Sequence, residues 1–209
     1  MSLTKKNPQA PSAPSLDAVT KTTVKRPTAR NILVISDTHL GEGIKERTRI
    51  DYLKRMAELD RDLCNFLEYY SENRINDEPW RLVINGDFLD FSTVTVRPSE
   101  DAQALELSPR LDPEEERYGL SSREDRAIWK LERIVERHKL VFTYLADWVG
   151  KGNQLEMLYG NHDAEFYWDV AQKAFISELV GIYFGTEVVQ GADESDFSSR
   201  IRWHEWFYF

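Results

Sequence analysis

Ile32-Leu33-Val34-Ile35-Ser36-Asp37-Thr38-His39-Leu40-Gly41 is the stretch on which the fold turns. Four consecutive apolar residues, Ile32 to Ile35, have the character of a strand buried on both faces. The polar cluster that follows at once marks the strand's carboxyl end. The arrangement recurs twice: Leu82-Val83-Ile84 runs into Asn85-Gly86-Asp87-Phe88-Leu89-Asp90, and a strand over about Gln154 to Tyr159 runs into Gly160-Asn161-His162-Asp163. Helical spacing fills the intervals. One helix is expected from about Arg49 to Asn73, burying Leu53, Met56, Leu63, Phe66, Leu67 and Tyr70. A second runs from about Ser122 to Val149 with Ile128, Leu131, Val135, His138, Phe142, Leu145 and Val149 on its buried face, ended by Gly150 and Gly152. A third spans about Ala164 to Val180. Strand and helix alternate, so the fold class is α/β, with a mainly parallel sheet flanked by helices.

The rest of the chain frames that unit. Residues 1–30 are rich in Pro, Ser, Thr, Ala and Lys, show no hydrophobic period, and read as a disordered basic tail. They hold six Lys or Arg against one acid, so the overall charge of -9 leaves -14 on residues 31–209. An acidic body argues against broad nucleic-acid binding, which depends on many phosphate contacts from basic side chains. It leaves a phosphate substrate open, because divalent cations can supply the positive charge. Cys64, the one cysteine, excludes an intrachain disulfide and a thiolate zinc site, and reads as a packed, inert thiol. With no signal-peptide core and no membrane-length apolar window, a cytoplasmic protein is expected. Between Phe91 and about Leu120 the pattern lapses into an insertion beside the second motif, and the charge run Asp112-Pro113-Glu114-Glu115-Glu116-Arg117 reads as solvated surface. His138 reads as a hydrogen-bonded core residue.

In open α/β sheets, ligand groups collect beyond the carboxyl ends of the strands. Each cluster alone has an ordinary explanation, since Asp caps helices and Gly-Asp forms turns. Three such clusters in order, each at the end of a strand, are not explained by turns. Carboxylates, imidazoles and a carboxamide oxygen converging there suit a divalent cation site.

The three clusters resemble the calcineurin-like metallophosphoesterases, whose pattern is Asp-x-His, then Gly-Asp-x-x-Asp, then Gly-Asn-His-Asp. The resemblance covers about residues 31–209 and implies a four-layer α/β/β/α sandwich, of which this chain spans the first part. It implies two divalent metal ions, with manganese first and iron, zinc or nickel as the other candidates. Asp37 and His39 would hold the first, Asp87 would bridge both, and Asn161 would bind the second. His162 would face the substrate with Asp163 orienting its ring, both as catalytic residues, and Asp90 would lie behind the ligands. The implied activity is hydrolysis of a phosphate ester or phosphoanhydride by a metal-bridging hydroxide.

The family pattern continues with further histidine motifs, and these are absent. After His162 the only histidine is His204, in the aromatic run Ile201 to Phe209, which reads as an interior strand cut short. Residues 31–209 are therefore expected to be a C-terminally truncated domain. His204 reads as a packing or surface residue rather than a substitute ligand, and the aromatic strand as a surface for self-association. Asp-x-His-Leu-Gly and Asn-Gly-Asp-x-x-Asp-Phe are similar to the branch containing UDP-diacylglucosamine diphosphatases, in which Arg often stands at the position of His162. A phosphate-containing small molecule or lipid-linked substrate, as in a nucleotide-sugar or lipid diphosphatase, thus ranks ahead of nuclease activity. The alternative from another class is an inactive fragment or a noncatalytic binding scaffold.

Overall fold

A computed structural model describes residues 31–45, 50–98, 111–186 and 193–205. The expected tail, part of the insertion, and Trp206 to Phe209 lie outside them. The element order is β1 (Asn31–Ile35), α1 (Ile50–Glu72), β2 (Trp80–Asn85), α2 (Pro113–Tyr118), α3 (Glu124–Arg137), α4 (Lys139–Gly150), β3 (Gln154–Leu158), α5 (Asp169–Thr186), α6 (Glu194–Ser199) and β4 (Ile201–His204). The four strands form one parallel sheet in the order β1-β2-β3-β4. The α/β class, with a parallel sheet and flanking helices, is therefore as the sequence indicates.

Strictly sequential order has a packing consequence. Crossovers of one hand between successive parallel strands lay all the connecting helices on the same face of a sheet. The core follows that rule. Leu33, Leu82, Leu155 and Ile201 stand in register across the four strands, as do Ile35, Ile84, Met157 and Trp203. All eight join the cluster formed with the buried helix residues, including Leu63, Leu67, Phe142, Leu145, Phe175 and Leu179. Their neighbours on the opposite face, among them Ile32, Val34 and Leu158, do not join it. The expectation that β1 is buried on both faces is thereby corrected: Val34 is 55% exposed, because β1 is the edge of the described sheet and the helical layer covers only one side.

Three helical expectations also need correction. The expected helix over 122–149 is two helices, α3 and α4, broken at His138, whose φ of -107° and ψ of 29° leave the helical region. Its ring is drawn out of the helical line by partners on other elements, described below. The helix expected from Ala164 is a short 3-10 turn, Ala164–Tyr167, separated from α5 by the extended backbone of Trp168, whose indole N–H donates to Ser122 O at 2.9 Å. Leu53, expected in the buried face of α1, is exposed, whereas Met56, Leu63, Cys64 and Leu67 are buried. Cys64 is packed as expected, and burial pushes its thiol up to about 11.

The charge run at 112–117 is not all solvated surface. Asp112, followed by Pro113 and by Glu115 three residues on, makes a capping box that starts α2. Glu115 is 3% exposed and takes a forked pair of hydrogen bonds from the fully buried Arg126, at 2.9 and 2.7 Å. Hydrogen bonds from Arg126, working against desolvation and aided by Ser121, hold its carboxyl down at about 2.

A folded-state value below the ordinary 4.5 means that Glu115 contributes stability above that pH, and the contribution is lost as pH falls toward 2. The difference corresponds to something on the order of 3 kcal/mol. Urea midpoints should favour the wild type over Glu115→Gln at pH 7, with the gap closing between pH 4.5 and 2. A gap independent of pH would mean that Arg126 does not hold Glu115 ionised.

Candidate metal centre

The loops that leave β1 and β2 continue to pair beyond the strand ends. His39 N–H donates to Asp87 O at 3.0 Å, Leu40 N–H to Phe88 O at 2.9 Å, and Asp90 N–H to Leu40 O at 2.7 Å. The buried Thr38 hydroxyl adds a bond to Phe88 O at 2.9 Å. The third loop joins through Phe91 N–H, which donates to His162 O at 3.1 Å. All three sequence clusters are thus fastened into one assembly at the carboxyl end of the sheet.

The backbone is bent at the proposed ligands. Asp37, His39 and Asp87 adopt φ of 54°, 48° and 52°, a left-handed conformation that non-glycine residues seldom take. Such bends persist only where the surroundings enforce them, and they gather at functional sites. The Asp37, His39 and Asp87 ligand atoms lie within 4.8 Å of one another. Asp87 Oδ1 accepts from His162 N–H at 2.9 Å, linking this group to the third loop. A Cβ on Gly160 would lie 2.1 Å from that same oxygen, so glycine is required for the approach. Asn161 is exposed and sits between Gly160 and His162, both of which pack on Asp87.

Asp90 is buried beside both histidine rings. Its Oδ2 stands 3.8 Å from His39 Nδ1 and 3.3 Å from His162 Nδ1. The two imidazoles meet edge to face with centroids 4.6 Å apart. Oδ1 accepts from Ser92 Oγ at 2.7 Å and Thr93 N–H at 3.1 Å. Burial acts to raise the Asp90 carboxyl, but Ser92, His162 and Thr93 outweigh it, and the group lies below its ordinary value. Asp90 thus faces both rings at ion-pair distance, without a hydrogen bond to either.

The role expected for Asp163 is therefore corrected. Its buried carboxylate accepts from Gly160 N–H at 2.6 Å and Phe88 N–H at 2.9 Å, not from the His162 ring. It staples the second loop to the third. Burial pushes its carboxyl above the ordinary value, against the backbone N–H groups that favour the charge. Behind it, Glu165 accepts from Ser122 Oγ at 2.8 Å and pairs with buried Lys130 at 3.5 Å, tying the third loop to α3. Burial pulls the Lys130 ammonium below its usual range, and Glu165 opposes that pull.

Lys130 and Glu165 escaped the sequence reading, because each looks like an ordinary surface charge. The one signal is local to α3, where Lys130 falls between Trp129 and Leu131, both buried. His138 is buried and hydrogen-bonded as expected. His204 stands in register with Leu158 at the end of β4, and its Nε2 lies 2.5 Å from Glu156 Oε2, on the sheet face opposite the helical core.

No family model matches the chain, and neither a curated protein nor a solved structure does. The chemistry of the centre has to be read from its own residues. Among the described residues no helix is long and apolar enough to cross a membrane.

Because Asp163 joins two loops through buried N–H groups, Asp163→Ala should cost about 2–4 kcal/mol by leaving those donors unpaired. Denaturant titration checks this. Full retention of stability would contradict the stapling role.

Proposed function

We propose that this protein is a metal-dependent phosphoesterase of the calcineurin-like type, acting on a phosphate ester or phosphoanhydride with two divalent cations. The observation that carries the reading is the convergence of Asp37, His39 and Asp87, all in left-handed backbone, with Asp90 behind His39. The donor set fits the cations. Carboxylate and imidazole donors suit manganese, iron, zinc or nickel, and a carboxylate facing the other nitrogen of a ligating histidine is the usual supporting partner.

Asp37 and His39 would hold one cation, Asp87 would be shared, and the exposed Asn161 would offer its amide oxygen to the second. When bound, the cations supply a nucleophile at neutral pH and neutralise charge on the phosphoryl oxygens. On a body of charge -14, that neutralisation also admits an anionic substrate. The protein's own contribution centres on His162. Its Nδ1 faces Asp90, leaving Nε2 for the substrate. A proton at Nε2 passes to the departing oxygen as its bond to phosphorus breaks, while the Asp90 carboxylate faces Nδ1 from 3.3 Å. Asp90 thus takes the orienting role that the family resemblance implied for Asp163.

A nucleotide-sugar or lipid-linked diphosphate is the substrate class ahead of nucleic acid, given the acidic body. In residues 31–209 the 21 Lys and Arg are outnumbered by 35 acids, a balance unsuited to an extended phosphate backbone.

His162→Ala should bind manganese like the wild type yet lose on the order of 10²–10⁴-fold in turnover of an aryl phosphate ester. Asp90→Asn should fall in the same direction. Turnover unchanged in His162→Ala would remove that residue from the chemistry, and no manganese-dependent hydrolysis by the wild type would return the noncatalytic reading.

A further inference from the structure

His138 meets three parts of the chain on one ring. It is 1% exposed, at the break between α3 and α4. Its Nδ1 lies 2.7 Å from Asp60 Oδ1 on α1, and its Nε2 accepts the Gly41 N–H at 3.0 Å. Gly41 follows His39 by two residues. The amide can only donate, so Nε2 must carry a lone pair, and the single ring proton lies on Nδ1, directed at Asp60. The contact therefore specifies one neutral tautomer.

Gly41 is itself closely confined. It has φ of 100°, and a Cβ there would stand 2.7 Å from Ile134 Cγ1 on α3. Its carbonyl accepts from Thr93 Oγ1 at 3.5 Å, and Thr93 N–H donates to Asp90 Oδ1 at 3.1 Å. The imidazole thus fixes the far end of the loop that carries Asp37 and His39, in line with the carboxylate that faces His39. A histidine serving only to fill the core needs neither polar bond.

We propose that His138 is a positioning residue for the first ligand loop: as the Nδ1–H tautomer, fixed by Asp60, it holds Gly41 so that Asp37 and His39 keep their left-handed geometry for a divalent cation. The functional half rests on the binuclear reading above. The structural half stands on the contacts alone.

The test begins with metal-free full-length protein. Nitrogen-15 NMR of the imidazoles should show His138 with a protonated Nδ1 and an unprotonated Nε2, and an Nε2–H tautomer would overturn the proposal. Manganese affinity is then measured by calorimetry for wild type, His138→Leu and His138→Gln. His138→Leu should bind about tenfold or more weakly, the range seen when supporting groups behind ligands are lost. His138→Gln restores a carbonyl acceptor for Gly41 and an amide donor for Asp60, and should recover most of the affinity. Where His138→Leu does not fold, Asp60→Ala carries the comparison, since it leaves the ring in place and removes the group that fixes its tautomer; it too should bind about tenfold more weakly. Wild-type affinity in His138→Leu, or in Asp60→Ala where that variant carries the comparison, would overturn the positioning role. A wild type that takes up no manganese would instead overturn the binuclear reading and this inference's functional half, while the tautomer decides the structural half.

Discussion

The contact between Asp87 and Gly160 is the constraint on which the rest of the centre depends. Asp87, two residues beyond β2, adopts a left-handed bend, and its carboxylate meets the next loop. There Oδ1 receives the His162 N–H, and only a residue without a Cβ can stand beside it at position 160. The second and third loops are locked at a separation that a methyl group would force apart. Because the first loop pairs with Asp87 O and Phe88 O, the same constraint reaches Asp37 and His39.

Around that contact the protein invests in buried polar groups where an apolar core would be simpler. Asp163 satisfies backbone donors from two loops, Asp90 faces two imidazoles, and Glu165 with Lys130 ties the third loop to α3. Each is costly to bury and worth burying only with its partners in place. Together they tie the three loops to one another and to α3. Under the proposed function, that bracing would hold Asp37, His39 and Asp87 in place for cations.

Much of this was legible in the sequence, for local reasons. The short apolar runs and the polar clusters at their ends follow from strand burial, and the parallel order follows from the alternation with helices. The three loops that converge are the three read from the chain. Long-range partners were not legible. Nothing near His162 says whether Asp90 or Asp163 faces its ring; only the folded chain shows the Asp163 carboxylate turned onto Gly160 and Phe88. The break at His138 was hidden because its apolar neighbours keep helical spacing on both sides, while its ring partner Asp60 lies 78 residues away. The one-sided burial of β1 was likewise hidden, since Ile32 to Ile35 are apolar at every position regardless of which face the helices cover.

The central claim is that these three loops hold two divalent cations, and counting them tests it most directly. Elemental analysis of the full-length protein, equilibrated with manganese and freed of excess, should give about two metals per chain. The Asp87→Asn protein, prepared alongside, should give none or close to none, since that carboxylate is shared between the cations in this account. Fewer than one metal per chain in the wild type, or equal loading of the two proteins, would contradict it.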